Sequence, residues 1–289
     1  MFLSDKWKDY ELIDASGGEK LERWGDVILV RPDPQIVWNT ERSAPQWKNA
    51  DARYIRSSSG GGHWQSFKKL PPSWTVSYHG LKFGIKPMGF KHTGLFPEQA
   101  ANWDWFSDII RASRRGSVNV LNLFAYTGGA TVAASDAGAS VCHVDAAKGM
   151  VSWAKENAEL SGLKDRPVRY IVDDVKKFVR REIRRGRKYD GIIMDPPSYG
   201  RGPGGEVWKI ENELFGLIEL CLDVLSDDPL FFLVNSYTTG LSGSVMDNIY
   251  KLTVKKRFGG HVFVDEVGLP ITSGDLVLPC GYSARWQRD

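Results

Sequence analysis

Acidic residues follow short apolar runs at three places in the second half of this 289-residue sequence. Asp145 ends one run, the pair Asp173 and Asp174 follows the next, and Asp195 follows a third. An ionised carboxylate only accepts hydrogen bonds, which suits ribose hydroxyls or the exocyclic amine of a base. Asp174 directly precedes a helical pattern, so an N-cap is the competing role there. The spacing indicates a site for a nucleoside-like ligand.

A glycine turn separates the first apolar run from a helical segment, in the sequence NLFAYTGG that runs from Asn122 to Gly129. Glycine lets the backbone approach a ligand closely, and the helix start offers N–H groups to an anion. The GxGxxG spacing of dinucleotide enzymes is absent. The turn therefore favours a nucleotide-like ligand other than a dinucleotide.

The most specific signal is Asp195-Pro196-Pro197-Ser198-Tyr199, directly after an apolar run. Two prolines make a stiff bend without backbone donors, so their carbonyls and the Asp195 carboxylate form an array of acceptors. Such an array suits an amino group or a flat base, with Tyr199 available to stack. A rigid strand-ending turn is the competing interpretation.

A parallel sheet would bring these residues to one place. The period of the apolar residues predicts strands over 118–124, 140–145, 168–172, 191–194 and 230–235, alternating with helices near 129–137, 147–161, 174–185 and 207–225. Ligands of such sheets bind beyond the carboxyl ends of the strands. Two last strands, 261–268 and 276–284, have no helix between them, which indicates an antiparallel closing pair at an edge.

The first part of the chain is predicted to be β-rich, with strands over 11–15, 27–30 and 35–38 and a hairpin of 74–78 and 81–85 around His79-Gly80. Apolar residues recur at helical spacing over 96–115. The change of period between about 90 and 116 divides the chain into segments 1–90, 91–115 and 116–289.

Together, the run NLFAYTGGATVAA, Asp145, the pair Asp173-Asp174 and DPPSYG resemble a class I S-adenosylmethionine (SAM) methyltransferase. More narrowly, they resemble the bacterial group whose members methylate 23S ribosomal RNA at carbon five of cytosine or position seven of guanine. The segment HTGLFPEQ, residues 92–99, resembles that group's TG-aromatic-x-x-x-Gln motif. The resemblance covers about residues 75–289. It implies a Rossmann-like α/β fold, whose mostly parallel sheet has an antiparallel closing strand, with a smaller β-rich N-terminal domain.

The resemblance implies SAM as the cofactor and assigns roles to individual residues. The implied cofactor-binding residues are Phe96, Gln99, Asn122, Phe124, Ala125, Tyr126, Thr127, Gly128, Asp145, Ala146, Asp173, Asp174 and Asp195. In detail, it implies that Asp145 meets the ribose, that Asp174 with Asp173 meets adenine, and that the segment 91–115 borders the cofactor. The candidate catalytic residues are Asp195, Pro196, Pro197, Asn235 and Tyr237. Ser198 and Tyr199 are expected to face the substrate, for which the segment 1–90 is a candidate binding domain.

Two departures from the group's pattern affect the predicted substrate. Enzymes that methylate carbon five of cytosine attack the ring with a cysteine, and their pattern has it after the fifth strand. This chain has Asn235-Ser236-Tyr237 there, which disfavours that reaction. The stretch 18–38 also does not resemble the RNA-binding module of the cytosine enzymes. We therefore expect methylation of a base nitrogen.

Composition limits the remaining function classes. The chain has 38 Lys and Arg against 35 Asp and Glu, and 42% hydrophobic residues, as ordinary globular proteins do. It has no membrane-length apolar run and no apolar core at its start, so a cytoplasmic protein is expected. The three cysteines and five histidines lack metal-ligand spacing, which predicts no metal. In the segment 176–188, KKFVRREIRRGRK, eight of thirteen positions are basic, which fits either phosphate binding or a solvated helix face.

The leading hypothesis is a SAM-dependent methyltransferase that acts on RNA, specifically ribosomal RNA. A protein or small-molecule methyltransferase is an alternative within the same class. A nucleotide-binding oxidoreductase and a non-catalytic RNA-binding relative are alternatives from other classes. The sequence does not determine the oligomeric state.

Overall fold

The computed structural model describes residues 1–57, 61–201, 207–238 and 240–289. They form two compact units. The C-terminal unit consists of Met1, Asn102–Val267 and Gly281–Asp289, and the N-terminal unit of Phe2–Ala101 and Gly268–Cys280. The roles predicted for the segments 1–90, 91–115 and 116–289 stay predictions.

The N-terminal unit is built mainly of short strands. They are β1 (Phe2–Leu3), β2 (Tyr10–Ser16), β3 (Glu19–Trp24), β4 (Val27–Pro32), β5 (Ala52–Arg56), β6 (Gly62–Ser66), β7 (Trp74–Tyr78) and β8 (Leu81–Ile85). Antiparallel pairing joins β2 to β3, β3 to β4 and β5 to β6, whereas β4 and β5 run parallel. Two 3-10 turns complete the unit, Pro45–Trp47 and Pro97–Gln99.

The predicted hairpin of this unit is confirmed. Strands β7 and β8 pair antiparallel with Tyr78 opposite Leu81, and the two turn residues have φ of 48° at His79 and 87° at Gly80. Two residues with positive φ are typical of the tight hairpin turn that matches strand twist.

The prediction of a strand over 35–38 is wrong. The backbone carbonyls of Ile36 and Trp38 accept hydrogen bonds from the N–H groups of Gly18 and Gly17, at 2.9 and 2.8 Å. These glycines form the turn between β2 and β3, so the segment pairs with a turn and has no strand neighbour. Its apolar residue Ile36 is buried all the same, which explains the strand-like pattern.

The C-terminal unit alternates strands and helices, as predicted. Its helices are α1 (Ala100–Ala112, which begins in the N-terminal unit), α2 (Gly129–Asp136), α3 (Lys148–Leu160), α4 (Val175–Arg184), α5 (Ile210–Leu222), α6 (Gly243–Leu252) and α7 (Val254–Phe258). Its strands are β9 (Asn119–Leu123), β10 (Ser140–Asp145), β11 (Val168–Val172), β12 (Gly191–Met194), β13 (Tyr199–Arg201), β14 (Val207–Lys209) and β15 (Phe231–Ser236). The strands β16 (His261–Ile271) and β17 (Leu276–Gln287) contribute residues to both units.

The sheet of the C-terminal unit has the order β11-β10-β9-β12-β15-β17-β16. The pairs among β9, β10, β11, β12 and β15 are parallel, and β17 runs antiparallel to β15. The strand order reverses between β9 and β12, which makes a crevice at their carboxyl ends. The predicted α/β fold with an antiparallel closing strand is confirmed.

Helices cover both faces of this sheet. Leu121, Leu123 and Met194 pack in one buried cluster with residues of α4, α5, α6 and α7. On the opposite face, Phe106 of α1 stacks on Phe231 of β15 with ring centroids 5.9 Å apart. The strands and helices that sequence did not predict are β1, β3, β5 and β6 in the N-terminal unit, and the β13–β14 hairpin, α6 and α7 in the C-terminal unit.

Among the described residues, no helix combines the length and apolar character needed to cross a membrane. Within the same ranges, no group of three or more His, Cys, Asp or Glu side chains could hold a metal ion.

Candidate functional site

The carboxyl ends of the parallel strands gather most of the predicted site residues. These residues end a strand or follow it closely: Phe124 to Gly128 after β9, Asp145 and Ala146 at β10, Asp173 and Asp174 after β11, Asp195 to Tyr199 after β12, and Asn235 and Tyr237 at β15. Parallel strands point the same way, so these side chains share one end of the sheet. We call this place the carboxyl end. Phe96 and Gln99 belong to the other unit.

The loop from β9 to α2, which we call the cofactor loop, has an unusual backbone. Phe124 and Tyr126 have φ of 53° and 51°, a left-handed conformation that costs a non-glycine residue about 1–2 kcal/mol. The N–H of Ala125, between them, donates to the Val144 carbonyl at 3.1 Å. Contacts with the neighbouring strand therefore hold the loop in a strained shape, as is common at functional sites.

Asp145 is the main anchor of the cofactor loop. One carboxylate oxygen accepts the N–H of Tyr126 at 2.8 Å, and the other accepts the N–H of Ala147 at 2.8 Å. A carboxylate has about four lone-pair sites, so two such bonds leave acceptor capacity for a ligand. Asp145 thus both shapes the loop and remains suited to bind hydroxyl groups.

Gly128 is required by both conformation and space. Its φ of 81° is left-handed, and a Cβ there would lie 2.7 Å from the Cβ of Ala154 in α3. The preceding carbonyl, of Thr127, accepts from the Asn157 side chain at 2.8 Å. The loop therefore packs directly on α3.

The predicted cofactor residue Asn122 points into a buried polar chain. Its amide donates to Thr131 Oγ1 at 2.9 Å, and that oxygen lies 2.9 Å from His143 Nδ1. Burial lowers the pKa of His143 to about 3, so the ring is neutral at physiological pH. Through these contacts Asn122 links β9 to α2 and β10, and so helps to fix the two elements that the cofactor loop connects.

The acidic pair after β11 has structural partners. Asp174 is the N-cap of α4, because its side chain accepts the N–H of Lys177 at 2.8 Å. Asp173 forms an ion pair with Arg181 and accepts the Asp174 N–H at 2.9 Å. The competing N-cap role is therefore realised at Asp174, and contact of either carboxylate with adenine stays a prediction.

The predicted substrate loop, Asp195 to Tyr199, is held by a tryptophan that sequence reasoning missed. Trp208 in β14 donates its indole N–H to the Pro197 carbonyl at 2.6 Å. Its ring also packs on Phe124 of the cofactor loop, with centroids 5.5 Å apart. Trp208 therefore contacts both loops. The signal that could have identified Trp208 is its position as an aromatic residue shortly after the DPPSYG motif.

The loops after β12 and β15 also meet. Ser198 Oγ and Thr238 Oγ1 lie 2.5 Å apart, next to the candidate residue Tyr237. Pro196 is buried, whereas Pro197, Ser198 and Tyr199 are exposed. Two adjacent exposed residues of the substrate loop, Pro197 and Ser198, are thus held from different sides, by β14 and by the loop after β15.

Asn235 is buried in a polar network that sequence did not predict. Its side-chain oxygen accepts from Asn102 at 3.0 Å and from Ser283 at 2.6 Å. Asn102 in turn accepts from Arg285 Nε at 2.8 Å. These partners come from α1 and β17 and share no local motif with Asn235. The network makes Asn235 a residue that links β15 to its neighbours.

In the N-terminal unit, Phe96 and Gln99 flank the 3-10 turn before α1. The Gln99 N–H donates to the Phe96 carbonyl at 3.1 Å, and the Phe96 ring lies 5.2 Å from His92. Burial, aided by nearby Arg31, lowers the pKa of His92 to about 4. The roles predicted for Phe96 and Gln99 at the cofactor stay predictions.

Comparison with known proteins gives a consistent result. A family profile described as S-adenosylmethionine-dependent methyltransferase matches residues 36–213. The chain is similar to a crystal structure of the SAM-dependent methyltransferase from Agrobacterium tumefaciens, with 36% identity, coverage of 99% of this chain and 93% of that chain, and a TM-score of 0.94.

Two curated relatives are named for a substrate. Ribosomal RNA large subunit methyltransferase K of Neisseria meningitidis is 27% identical over 240 residues, which is 79% of this chain and 65% of the relative. Ribosomal RNA large subunit methyltransferase I of Klebsiella pneumoniae is 35% identical over 135 residues, which is 45% of this chain and 32% of the relative. The chain spans less than two thirds of the length of either relative.

Proposed function

Because the chain belongs to the S-adenosylmethionine-dependent methyltransferase family, we propose that it transfers the methyl group of SAM to a base nitrogen in RNA, and that this RNA is ribosomal. Similarity to relatives named ribosomal RNA methyltransferases supports the choice of RNA. The observation that carries the proposal is the placement of Asp195 and its two prolines, which follow β12 beside the end of β9.

The carboxyl end suits SAM. Asp145 offers carboxylate lone pairs to ribose hydroxyls while it holds the cofactor loop. Gly128 lets the backbone come close to the methionine part. When bound, SAM supplies a methyl group activated by a positively charged sulfur. The proposed adenine contacts of Asp173 and Asp174 would use acceptor sites beyond those engaged by Arg181 and Lys177.

The cysteines support nitrogen over carbon five as the acceptor. Attack on a pyrimidine ring needs a thiolate. Burial raises the pKa of Cys142 to about 11 and also raises the pKa of Cys221 and Cys280. All three thiols therefore stay protonated near neutral pH. The segment Asn235-Ser236-Tyr237 stands where the cytosine enzymes have their cysteine.

The substrate loop can orient an amino nitrogen without a covalent intermediate. We propose that the Asp195 carboxylate and the Pro196 carbonyl accept N–H bonds from the base and so direct its lone pair toward the methyl carbon. Bound SAM would supply the methyl carbon. The base nitrogen would give its lone pair to the new N–C bond, and the electron pair of the broken C–S bond would remain on the sulfur. The nitrogen then loses a proton, which Asp195 or water can accept. Ser198, Tyr199 and Tyr237 are proposed to contact the base, and Phe96 and Gln99 the cofactor.

The test is methyl transfer from tritiated SAM to unmodified large-subunit ribosomal RNA transcribed in vitro. Digestion and mass spectrometry then identify the methylated nucleoside. We expect a base methylated at nitrogen, and a kcat about 100-fold lower for Asp195→Asn, because proton acceptance and alignment are both impaired. Asp165→Asn removes an exposed carboxylate from the α3–β11 connection and serves as the matched control.

Three outcomes would contradict this proposal. Label at carbon five of cytosine would refute the nitrogen assignment. Transfer to a protein or small molecule, with none to RNA, would favour the alternative within the same class. Equal activity of Asp195→Asn and Asp165→Asn would remove Asp195 from the reaction.

A further inference from the structure

We propose that an arginine row, formed by Arg180 and Arg184 on the outer face of α4 and by Arg187 just after its end, binds phosphates of the RNA substrate away from the methyl-transfer site. The choice of RNA as the partner rests on the proposed function. The row itself is inferred from charge, exposure and helix geometry.

Positive charge is concentrated around α4. The segment 173–188 contains eight Lys or Arg and three Asp or Glu, a net charge of +5, whereas the whole chain carries +3. The rest of the chain is therefore net acidic. A single helix and its flanks provide the positive charge that attracts a polyanion.

Helix geometry directs the row outward. The buried side chains of α4 are Val175, Phe178, Val179 and Glu182. Arg180 and Arg184 are four residues apart and lie on the opposite side of the helix, and both are exposed. Arg187, three residues further and also exposed, follows the end of the helix. Arg180 and Arg184 are separated by about 6 Å along the axis, at 1.5 Å per residue.

Nearby carboxylates engage other cations. Asp173 pairs with Arg181, Glu213 with Lys176, and the buried Glu182 with Arg185 and Arg169. Within the ranges that the structure describes, no carboxylate contact is found for the three arginines of the row. The row therefore keeps its charge for a partner. Arginine also offers several donors in a planar fork that matches phosphate oxygens.

The direction of α4 relates the row to the reaction. The helix begins at its N-cap Asp174, at the carboxyl end of the sheet, and runs toward the opposite end. An RNA strand with one base at the substrate loop continues as a chain of phosphates, and the row provides cations along the outside of the same unit. Such contacts hold the RNA without reading its sequence.

The test measures how RNA binding depends on salt. The probe is a fluorescently labelled 30-nucleotide RNA stem-loop of mixed sequence, with anisotropy recorded between 50 and 200 mM KCl. Plots of log affinity against log salt have a negative slope, and each lost phosphate contact reduces the magnitude of this slope by about 0.7–0.9. We therefore expect Arg180→Gln/Arg184→Gln/Arg187→Gln to reduce the magnitude of the slope by about 2–3. The affinity for the probe should fall at least about tenfold.

A control variant removes the same charge elsewhere. Lys155→Gln/Lys164→Gln/Arg166→Gln changes three exposed residues in and after α3, on the other side of the sheet. We expect it to keep the wild-type slope. An unchanged slope in the row variant, or equal losses in both variants, would overturn the proposal. So would a wild-type protein that does not bind the probe. Thermal unfolding checks that both variants fold, since exposed substitutions rarely alter stability by more than about 0.5 kcal/mol.

The methyl-transfer assay separates this proposal from the proposed function. If the row variant shows the weaker salt dependence but the wild-type protein methylates no RNA, the proposed function is refuted and phosphate binding by the row is supported. If RNA is methylated and the row variant keeps its slope, the row alone fails.

Discussion

Replacing Asp145 by asparagine keeps the side-chain shape but removes its charge and one of its two acceptor oxygens. In the native protein both oxygens are used, at 2.8 Å each, by the N–H groups of Tyr126 and Ala147. In the variant one of these N–H groups would face an amide NH₂, so two donors would meet without an acceptor. The cofactor loop would lose a bond to a charged group.

The free energy of the lost hydrogen bond sets the size of the effect on SAM binding. A hydrogen bond to a charged group contributes about 1.5–3 kcal/mol. At about 1.4 kcal/mol per decade, SAM binding should weaken about 10- to 150-fold if the bound loop keeps its native shape. Loss of the ribose acceptor would add to this. The part of this energy that the free protein also loses appears instead as a lower melting temperature, by at most about 3–12 °C at about 2–4 °C per kcal/mol for a unit of this size.

Calorimetric titration of SAM and thermal unfolding measure the two effects. The control is Asp136→Asn, which breaks an exposed ion pair with Arg111 at the end of α2. Exposed pairs contribute at most about 1 kcal/mol, so the control should bind SAM within about threefold of the wild type. An Asp145→Asn variant that binds SAM as tightly as this control would refute the reasoning.

Further predictions concern the glycine turn, the tryptophan and a buried ion pair. Gly128→Ala should destabilise the protein by about 2–5 kcal/mol in urea unfolding, from positive φ and the close Ala154 contact, whereas Gly138→Ala, with φ of 105° and open space, should show only the conformational cost of about 1–2 kcal/mol. Trp208→Phe keeps an aromatic six-membered ring but removes the indole N–H that bonds the Pro197 carbonyl, so kcat should fall about two- to tenfold with little change in SAM affinity. An equal loss of SAM affinity would contradict this role. Burial alone would raise the pKa of Glu22, but Arg31, Lys20 and the Tyr10 hydroxyl together outweigh burial and hold the pKa at about 2. The unfolded chain therefore takes up the proton first, and stability should fall as pH drops from about 5 toward 2. Urea unfolding between pH 3 and 7 should show a shallower fall for Glu22→Gln, and identical slopes would contradict the assignment.

The parallel sheet was predictable because four of its five parallel strands, β9, β10, β12 and β15, are buried on both faces. Apolar runs bounded by turns locate β9, β10, β11, β12 and β15 to within a residue or two of the observed bounds. The predicted family, Rossmann-like fold and SAM cofactor are confirmed by the family match and the Agrobacterium structure. These features depend on local sequence.

Strand β3 shows where local patterns fail. Its residue Glu22 is fully buried, and its carboxylate accepts from Arg31 at 2.6 and 2.7 Å and from Tyr10 at 2.8 Å. A strand is recognised from alternating apolar and polar residues, and a charged residue is counted as exposed. A charged residue that is buried in an ion pair therefore breaks the alternation, and the strand is not predicted. Only the folded structure brings the partner cation into place.

Site positions were more predictable than side-chain partners. The end of each parallel strand identifies which residues share the carboxyl end. It does not reveal that Asn235 accepts from Asn102, which is 133 residues away, or that Asp173 pairs with Arg181. Such partners depend on neighbouring strands and helices, and no motif of a few residues encodes them.

The cofactor loop combines both kinds of information. Its glycine at 128 and its two aromatic residues are readable as a motif, but both of these aromatics, Phe124 and Tyr126, have a strained backbone. Asp145 from β10 holds the backbone of Tyr126, and Trp208 from β14 packs on Phe124. Strain of about 1–2 kcal/mol per residue persists only where such contacts offset it. The motif therefore specifies which residues form the loop, while its working shape depends on residues that follow other strands of the same sheet and on the hairpin beyond them.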